Sequence, residues 1–194
     1  MFKKTLITTL LSSAILLAES GVGININEKD VEVEGVLDSR NLAALQTTST
    51  IYQADFNFLN ADNEKLVGAG IVATNKLEGI EGIEMSFGAK AIWAEVGVDD
   101  DFTALPLMAQ IRYTFPPLMY AIPPIALEAR GLYAPGPLSF GDSDVYSEVR
   151  FSADIEMIDN VKVYAGYRNI HTKYEGVTRE LFDTGYYAGL KIIY

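Results

Sequence analysis

The residues with chemical potential in this chain are charges that recur at intervals of two. Glu84, Lys90, Arg112, Glu128, Arg130, Glu148, Arg150, Asp154, Lys162, Arg168 and Lys191 each sit in a stretch that alternates apolar and polar residues. In an extended strand, positions two apart share a face, so Glu128 with Arg130 and Glu148 with Arg150 place opposite charges side by side. Glu32, Glu34, Asp55 and Glu156 extend the same face, and the two signs nearly balance. In a confined space with little water an unpaired charge is costly, so a web of cross-strand ion pairs and hydrogen bonds is the economical arrangement. An ion-conducting pathway is the other chemistry such a face could support.

Other reactive constellations are sparse. The single histidine, His171, is followed by Thr172, with Glu175 nearby. No strand register suggests a Ser–His or Asp–His pairing, so no catalytic residue is expected and a lipid- or peptide-hydrolysing barrel is the least favoured alternative. Asp99, Asp100 and Asp101, with Asp142 and Asp144, are acidic but match no dedicated calcium spacing, so they read as solvated loop charge, with weak divalent binding beside anionic lipopolysaccharide as the alternative. The chain has no cysteine, which removes a lipoprotein attachment site, disulfides and thiolate metal sites. No cofactor or metal is expected.

The elements that must position these charges are strands. From residue 21 onward the pattern has period two, broken by Gly, Pro, Asn and Asp, with no sustained helical period. Candidate strands are 22–27, 31–37, 50–58, 66–74, 83–96, 104–115, 125–133, 145–157, 161–170 and 185–194, ten in all. In the eighth, Val145, Val149, Phe151, Ala153, Ile155 and Met157 share one face, while Glu148, Arg150, Ser152, Asp154 and Glu156 share the other. A soluble β-sandwich also alternates. A heavily charged opposite face on strand after strand, and aromatic residues toward strand ends, instead indicate a lipid-facing surface and a polar interior. Lipid offers the backbone no hydrogen bonds, so such a sheet must close. The expected fold is therefore all-β: a closed antiparallel transmembrane β-barrel of ten strands, or eight if the two amino-terminal segments lie outside the wall. Chain length excludes a wide diffusion channel.

If the last strand ends on the periplasmic side, segments 60–65, 97–101, 134–144 and 171–184 become external loops, and 38–49, 75–82, 116–124 and 159–160 periplasmic connections. Pro106 cannot donate to a ladder and is expected at a bulge near the outer rim. Gly68, Gly70, Gly88, Gly166 and Gly189 fall on the inward face, where they leave room for longer side chains opposite.

Compartment follows from the amino end. Lys3 and Lys4 precede an apolar stretch from 6 to 17, and Ala18-Glu19-Ser20 has the small-x-small form of a cleavage site, so residues 1–20 read as a signal peptide and 21–194 as the barrel domain. The apolar stretch is shorter than the roughly 20 residues that a spanning helix needs. A formal charge of −11 would repel phosphate backbones, which argues against nucleic acid as a partner.

The carboxy-terminal third carries Leu132-Tyr133-Ala134-Pro135, Leu138-Ser139, Val163-Tyr164-Ala165-Gly166-Tyr167-Arg168 and Asp183-Thr184-Gly185-Tyr186-Tyr187-Ala188-Gly189. In order and spacing these segments resemble the YfaZ family of small outer-membrane proteins. The resemblance implies a signal-bearing barrel in the outer membrane of a Gram-negative-type cell, and it carries over no functional residue. The ending Gly189, Ile192 and Tyr194 also looks like the signal by which barrel-assembly machinery recognises its clients. Function is expected to be that of an envelope component or restricted-solute pore in contact with outer-membrane lipids and lipopolysaccharide. A surface-adhesion role is the alternative.

Overall fold

The computed structural model describes residues 20–39, 50–61, 64–96, 100–116, 123–141, 143–174 and 180–193. The strands are β1 (Gly21–Ile26), β2 (Asp30–Asp38), β3 (Ile51–Ala61), β4 (Glu64–Lys76), β5 (Ile83–Val96), β6 (Asp100–Ala104), β7 (Leu107–Thr114), β8 (Ile125–Ala134), β9 (Ser139–Gly141), β10 (Ser143–Ile158), β11 (Val161–Tyr174) and β12 (Glu180–Ile193). A 3₁₀ turn at Gly136–Leu138 separates β8 from β9. The signal segment lies outside the described residues, as do Asp99, Asp142, Glu175 and Tyr194.

Each strand pairs antiparallel with its neighbours, and β1 pairs with β12 from Gly21↔Ile193 to Ile26↔Ala188, which closes the sheet on itself. Counting β6 and β7 as one interrupted strand, the wall has ten strands and both amino-terminal segments belong to it. Closure pairs the first and last strands along Gly21–Ile26 and Ala188–Ile193. Gly21 and Ile193 mark one end of the barrel, called here the near end; the other is the far end.

Pro106 interrupts the wall without a bulge against β5. Ile92 faces Ala104 and Ala89 faces Leu107, so the register is continuous across the break. Lys90 still donates its backbone N–H to the Pro106 carbonyl at 3.0 Å, and only the bond that proline cannot donate is missing. On its other side the strand changes partner, from β8 along β7 to β9 along β6. The segment expected as a loop over 171–184 is mostly strand, since β11 runs to Tyr174 and β12 starts at Glu180. Likewise the expected loop over 134–144 contains the 3₁₀ turn and β9. Turn chemistry is local: Asn27 Oδ1 accepts from the backbone N–H of Lys29 and Asp30 at 2.6 and 2.7 Å, which sets the β1–β2 turn, and Asn160, with φ 69°, takes the left-handed conformation that asparagine tolerates between β10 and β11.

Alternation assigns one apolar face to the outside all the way round. Ile24, Val33, Phe56, Val67, Ile71, Phe87, Trp93, Leu107, Ile111, Leu127, Phe151, Val163, Tyr186 and Leu190 all point outward and are exposed. The inward face is layered along the barrel axis. At the far end Leu59, Leu66, Ile92, Ala94, Phe102, Ala104, Met108, Leu132, Ala134, Tyr146 and Ile170 form a buried apolar cluster, with Leu138 of the 3₁₀ turn packed against it. This corrects the expectation of a polar interior throughout: the far ends of the strands are apolar on both faces, as in Phe58-Leu59, Leu66-Val67, Ile92-Trp93-Ala94 and Leu132-Tyr133-Ala134. Burial of these side chains is driven by the hydrophobic effect inside the barrel itself. Below the cluster lies a charged layer, and below that a chamber that reaches the near end.

Candidate functional site: the barrel interior

The charged layer is organised around Glu32 of β2, which is fully buried. Its carboxylate accepts from Asn25 Nδ2 at 3.0 Å, Asn57 Nδ2 at 2.8 Å, Arg150 Nη1 and Nη2 at 2.8 Å each, and Arg168 Nη1 at 2.6 Å. Arg150 also contacts Glu34 at 2.8 Å and Glu148, and Glu148 in turn accepts from the Tyr146 hydroxyl at 2.6 Å. Arg168, only 1% exposed, is held by Asp30 at 2.8 Å and Asp183 at 2.6 Å as well as by Glu32. These guanidiniums come from β10 and β11, and the carboxylates they grip come from β2 and β12 as well as β10. The network therefore bridges β1, whose six residues are the shortest full strand of the wall. Planar, multidentate arginine suits this role because one side chain can satisfy several buried carboxylates at once.

On the opposite wall Lys90 of β5 reaches across β4 to Asp55 of β3 at 2.5 Å. It crosses where β4 has glycine: a Cβ on Gly68 would stand 2.5 Å from Lys90 Cε. The same device recurs at the seam between β11 and β12. Tyr164-Ala165-Gly166 runs antiparallel to Tyr187-Ala188-Gly189, so each tyrosine faces the other strand's glycine. A Cβ on Gly166 would lie 2.6 Å from Tyr187 Cζ, and one on Gly189 2.6 Å from Tyr164 Cζ. The two tyrosine rings meet edge to face, 6.3 Å apart at 73°. Arg168 stands 5.8 Å over the Tyr187 ring, a cation–π contact. The Tyr164 hydroxyl donates to Asn25 on β1, tying a third strand into the seam.

The near half of the lumen is a chamber of about 550 Å³. Arg112 lies on its wall, with Asp154 at 2.6 Å and Glu128 at 3.3 Å, and Glu128 also pairs with Arg130 at 3.2 Å. These groups are 12–22% exposed, against 0–7% for Glu32, Glu148, Arg150 and Arg168, so the chamber pairs are wetter than the layer above them. Lys162 and Lys191 face each other across β11 and β12 in the same chamber, and Glu84 lines it from β5. The chamber reaches the near rim at Pro124, Asn160 and Ile193, whereas the apolar cluster fills the lumen at the far end.

The eleven charges first read as inward-facing thus stand inside the barrel, but in two groups. Glu148, Arg150 and Arg168 belong to the dry layer, and Lys90 lies buried beside it on the opposite wall. Glu84, Arg112, Glu128, Arg130, Asp154, Lys162 and Lys191 line the chamber. Gly189 lies under the Tyr164 ring and Ile192 points outward, 49% exposed. His171 stands on β11, opposite Ser147, rather than in a loop. Asp30, Asp183, Asn25, Asn57, Tyr146, Tyr164 and Tyr187 complete the layer and were not among the charges singled out. Asp183 was hidden by its assignment to a loop. The neutral partners carry no charge signal and are found only through register.

Searches of the curated proteins and of the solved structures give no match. The family described as YfaZ precursor matches residues 11–194, nearly the whole chain. The matched range includes both Tyr-Ala-Gly segments that interlock at the β11–β12 seam. By that match, the chain belongs to the YfaZ precursor family.

Proposed function

We propose that this protein is a small outer-membrane barrel that serves as an envelope component, with a lumen that does not pass solutes steadily. The observation that carries the placement is the outward face: large apolar side chains such as Ile71 (69% exposed), Phe87 (58%) and Leu107 (62%) ring the barrel, while the charges point inward. A contiguous apolar belt of this kind is costly in water and stable in lipid. Outer-membrane lipids and lipopolysaccharide are its surroundings. Gly189, Ile192 and Tyr194 are proposed as the segment read by the barrel-assembly machinery. No catalytic step is proposed.

The closed lumen is supported by the far-end cluster, in which Leu59, Ile92, Ala104, Ala134, Tyr146 and Ile170 have no solvent exposure. Purified protein in a planar bilayer is expected to give no steady conductance. A variant with Tyr146→Ala and Leu59→Ala, which thins that cluster, is expected to conduct. The parent is also expected to fractionate with the outer membrane and to migrate faster on an unheated denaturing gel than after boiling. Recovery as a soluble periplasmic monomer refutes the placement, and steady parental conductance refutes the closed lumen.

A further inference from the structure

Two chamber cations have no carboxylate within ion-pair distance among the described residues. Lys162 and Lys191 are direct register partners on β11 and β12, and both line the chamber. Among the described residues neither side chain makes an ion pair or a hydrogen bond. The chamber arginines differ, since Arg112 and Arg130 each hold a carboxylate within 3.3 Å. Glu34 and Glu128 act on Lys191 only from beyond ion-pair distance. Glu156, directly across from Lys162, instead accepts from the Asn160 backbone N–H at 3.3 Å in the hairpin turn.

Like charges on directly opposed strand positions, roughly 5 Å apart at Cβ, destabilise a sheet. The chain nevertheless makes room for Lys191. β1 has glycine where that side chain passes, and a Cβ on Gly21 would stand 3.0 Å from Lys191 Cε, while Gly23 leaves room for the Tyr164 hydroxyl. An ammonium pair kept against its own repulsion, in a polar chamber of about 550 Å³, has the form of an anion site. Ammonium groups are compact point charges suited to phosphate. The remaining wall sets the limit on charge: Glu34, Asp55, Glu84, Glu128, Asp154 and Glu156 oppose any anion with more than one phosphate group, and Gln53 and Gln110 offer amides to an uncharged polar remainder.

We propose that the chamber binds a single phosphate group, free or as a small phosphate monoester, between Lys162 and Lys191. The site belongs to the folded barrel and does not depend on which membrane holds it.

The test uses the full mature barrel in a glycoside detergent, which carries no phosphate of its own. Inorganic phosphate and glycerol phosphate are titrated calorimetrically, and phosphatidic acid, a lipid phosphate monoester, is added in a parallel arm to separate a soluble source from a lipid headgroup. Lys162→Gln and Lys191→Gln are expected to weaken binding at least about tenfold each, the loss of one charge-assisted contact. Lys65→Gln on the outward far rim, 58% exposed in its pair with Glu95, is expected to change nothing. Without phosphate, each chamber variant is expected to unfold at the same or higher urea than the parent, because a repulsion has been removed. Lysine-dependent binding in either arm supports the site and identifies its source. Failure of the parent to bind in both arms overturns it, as does binding that survives both substitutions. Marked destabilisation of the phosphate-free variants also overturns it, since the lysines would then be structural.

Discussion

Replacing Arg168 by glutamine should damage this barrel more than the same change at Arg112, although both arginines hold two or more carboxylates inside the lumen. Arg168 is 1% exposed and stands among Asp30, Glu32 and Asp183, whose side chains are 0%, 0% and 6% exposed. Removing the guanidinium leaves three carboxylates with little water and one arginine fewer. Breaking a buried pair in this way costs about 3 to 5 kcal/mol, most of it the desolvation of the charge left behind. At Arg112, where arginine, Glu128 and Asp154 are 20%, 18% and 12% exposed, chamber water can replace the lost contact. There the cost should fall to about 1 to 2 kcal/mol. The measurement is urea unfolding, followed by the fluorescence of Trp93, the single tryptophan, and by the folded band on unheated gels. With a slope of about 2 kcal/mol per molar, a loss of ~4 kcal/mol lowers the midpoint by about 2 M. Arg168→Gln combined with Asp183→Asn should recover part of that loss, because the charge count is restored. Equal midpoints for Arg168→Gln and Arg112→Gln would refute the division of the lumen into a dry layer and a wet chamber.

Two further outcomes test the wall. Phe151, outward and 54% exposed, should tolerate arginine badly, at about 2 to 4 kcal/mol if it lies near the bilayer midplane, whereas Ser152→Arg on the inward face should escape that lipid penalty; urea midpoints in lipid vesicles compare the two. Gly166→Ala should cost about 1 to 3 kcal/mol, because a Cβ there would stand 2.5 Å from the Phe151 carbonyl oxygen and 2.6 Å from the Tyr187 ring. Tyr187→Leu relieves only the second of these contacts and should recover only part of the loss, and the double-mutant cycle reads that part.

Much of the wall was legible because alternation is a local property. A strand that reads Phe151, Ala153, Ile155 against Ser152, Asp154, Glu156 fixes its two faces without reference to any neighbour, and ten such strands, with lipid on one side, leave closure as the physical solution. The same locality explains the failures. Asp183 and Glu180 sit beyond a stretch with no clean alternation, so the extension of β12 was invisible, and Pro106 was expected to bulge because a missing donor says nothing about whether the register survives it.

The sequence by itself determined which residues face inward, since each strand's own period assigns that. Only the tertiary structure decided which inward residues meet. Glu32 and Arg168 are 136 positions apart and touch because barrel closure sets β1 beside β12. Lys90 reaches Asp55 because the strand between them has glycine where it crosses. The division into plug, charged layer and chamber is likewise set by stagger between strands. Height along the barrel axis depends on register across all ten, and no single strand encodes it.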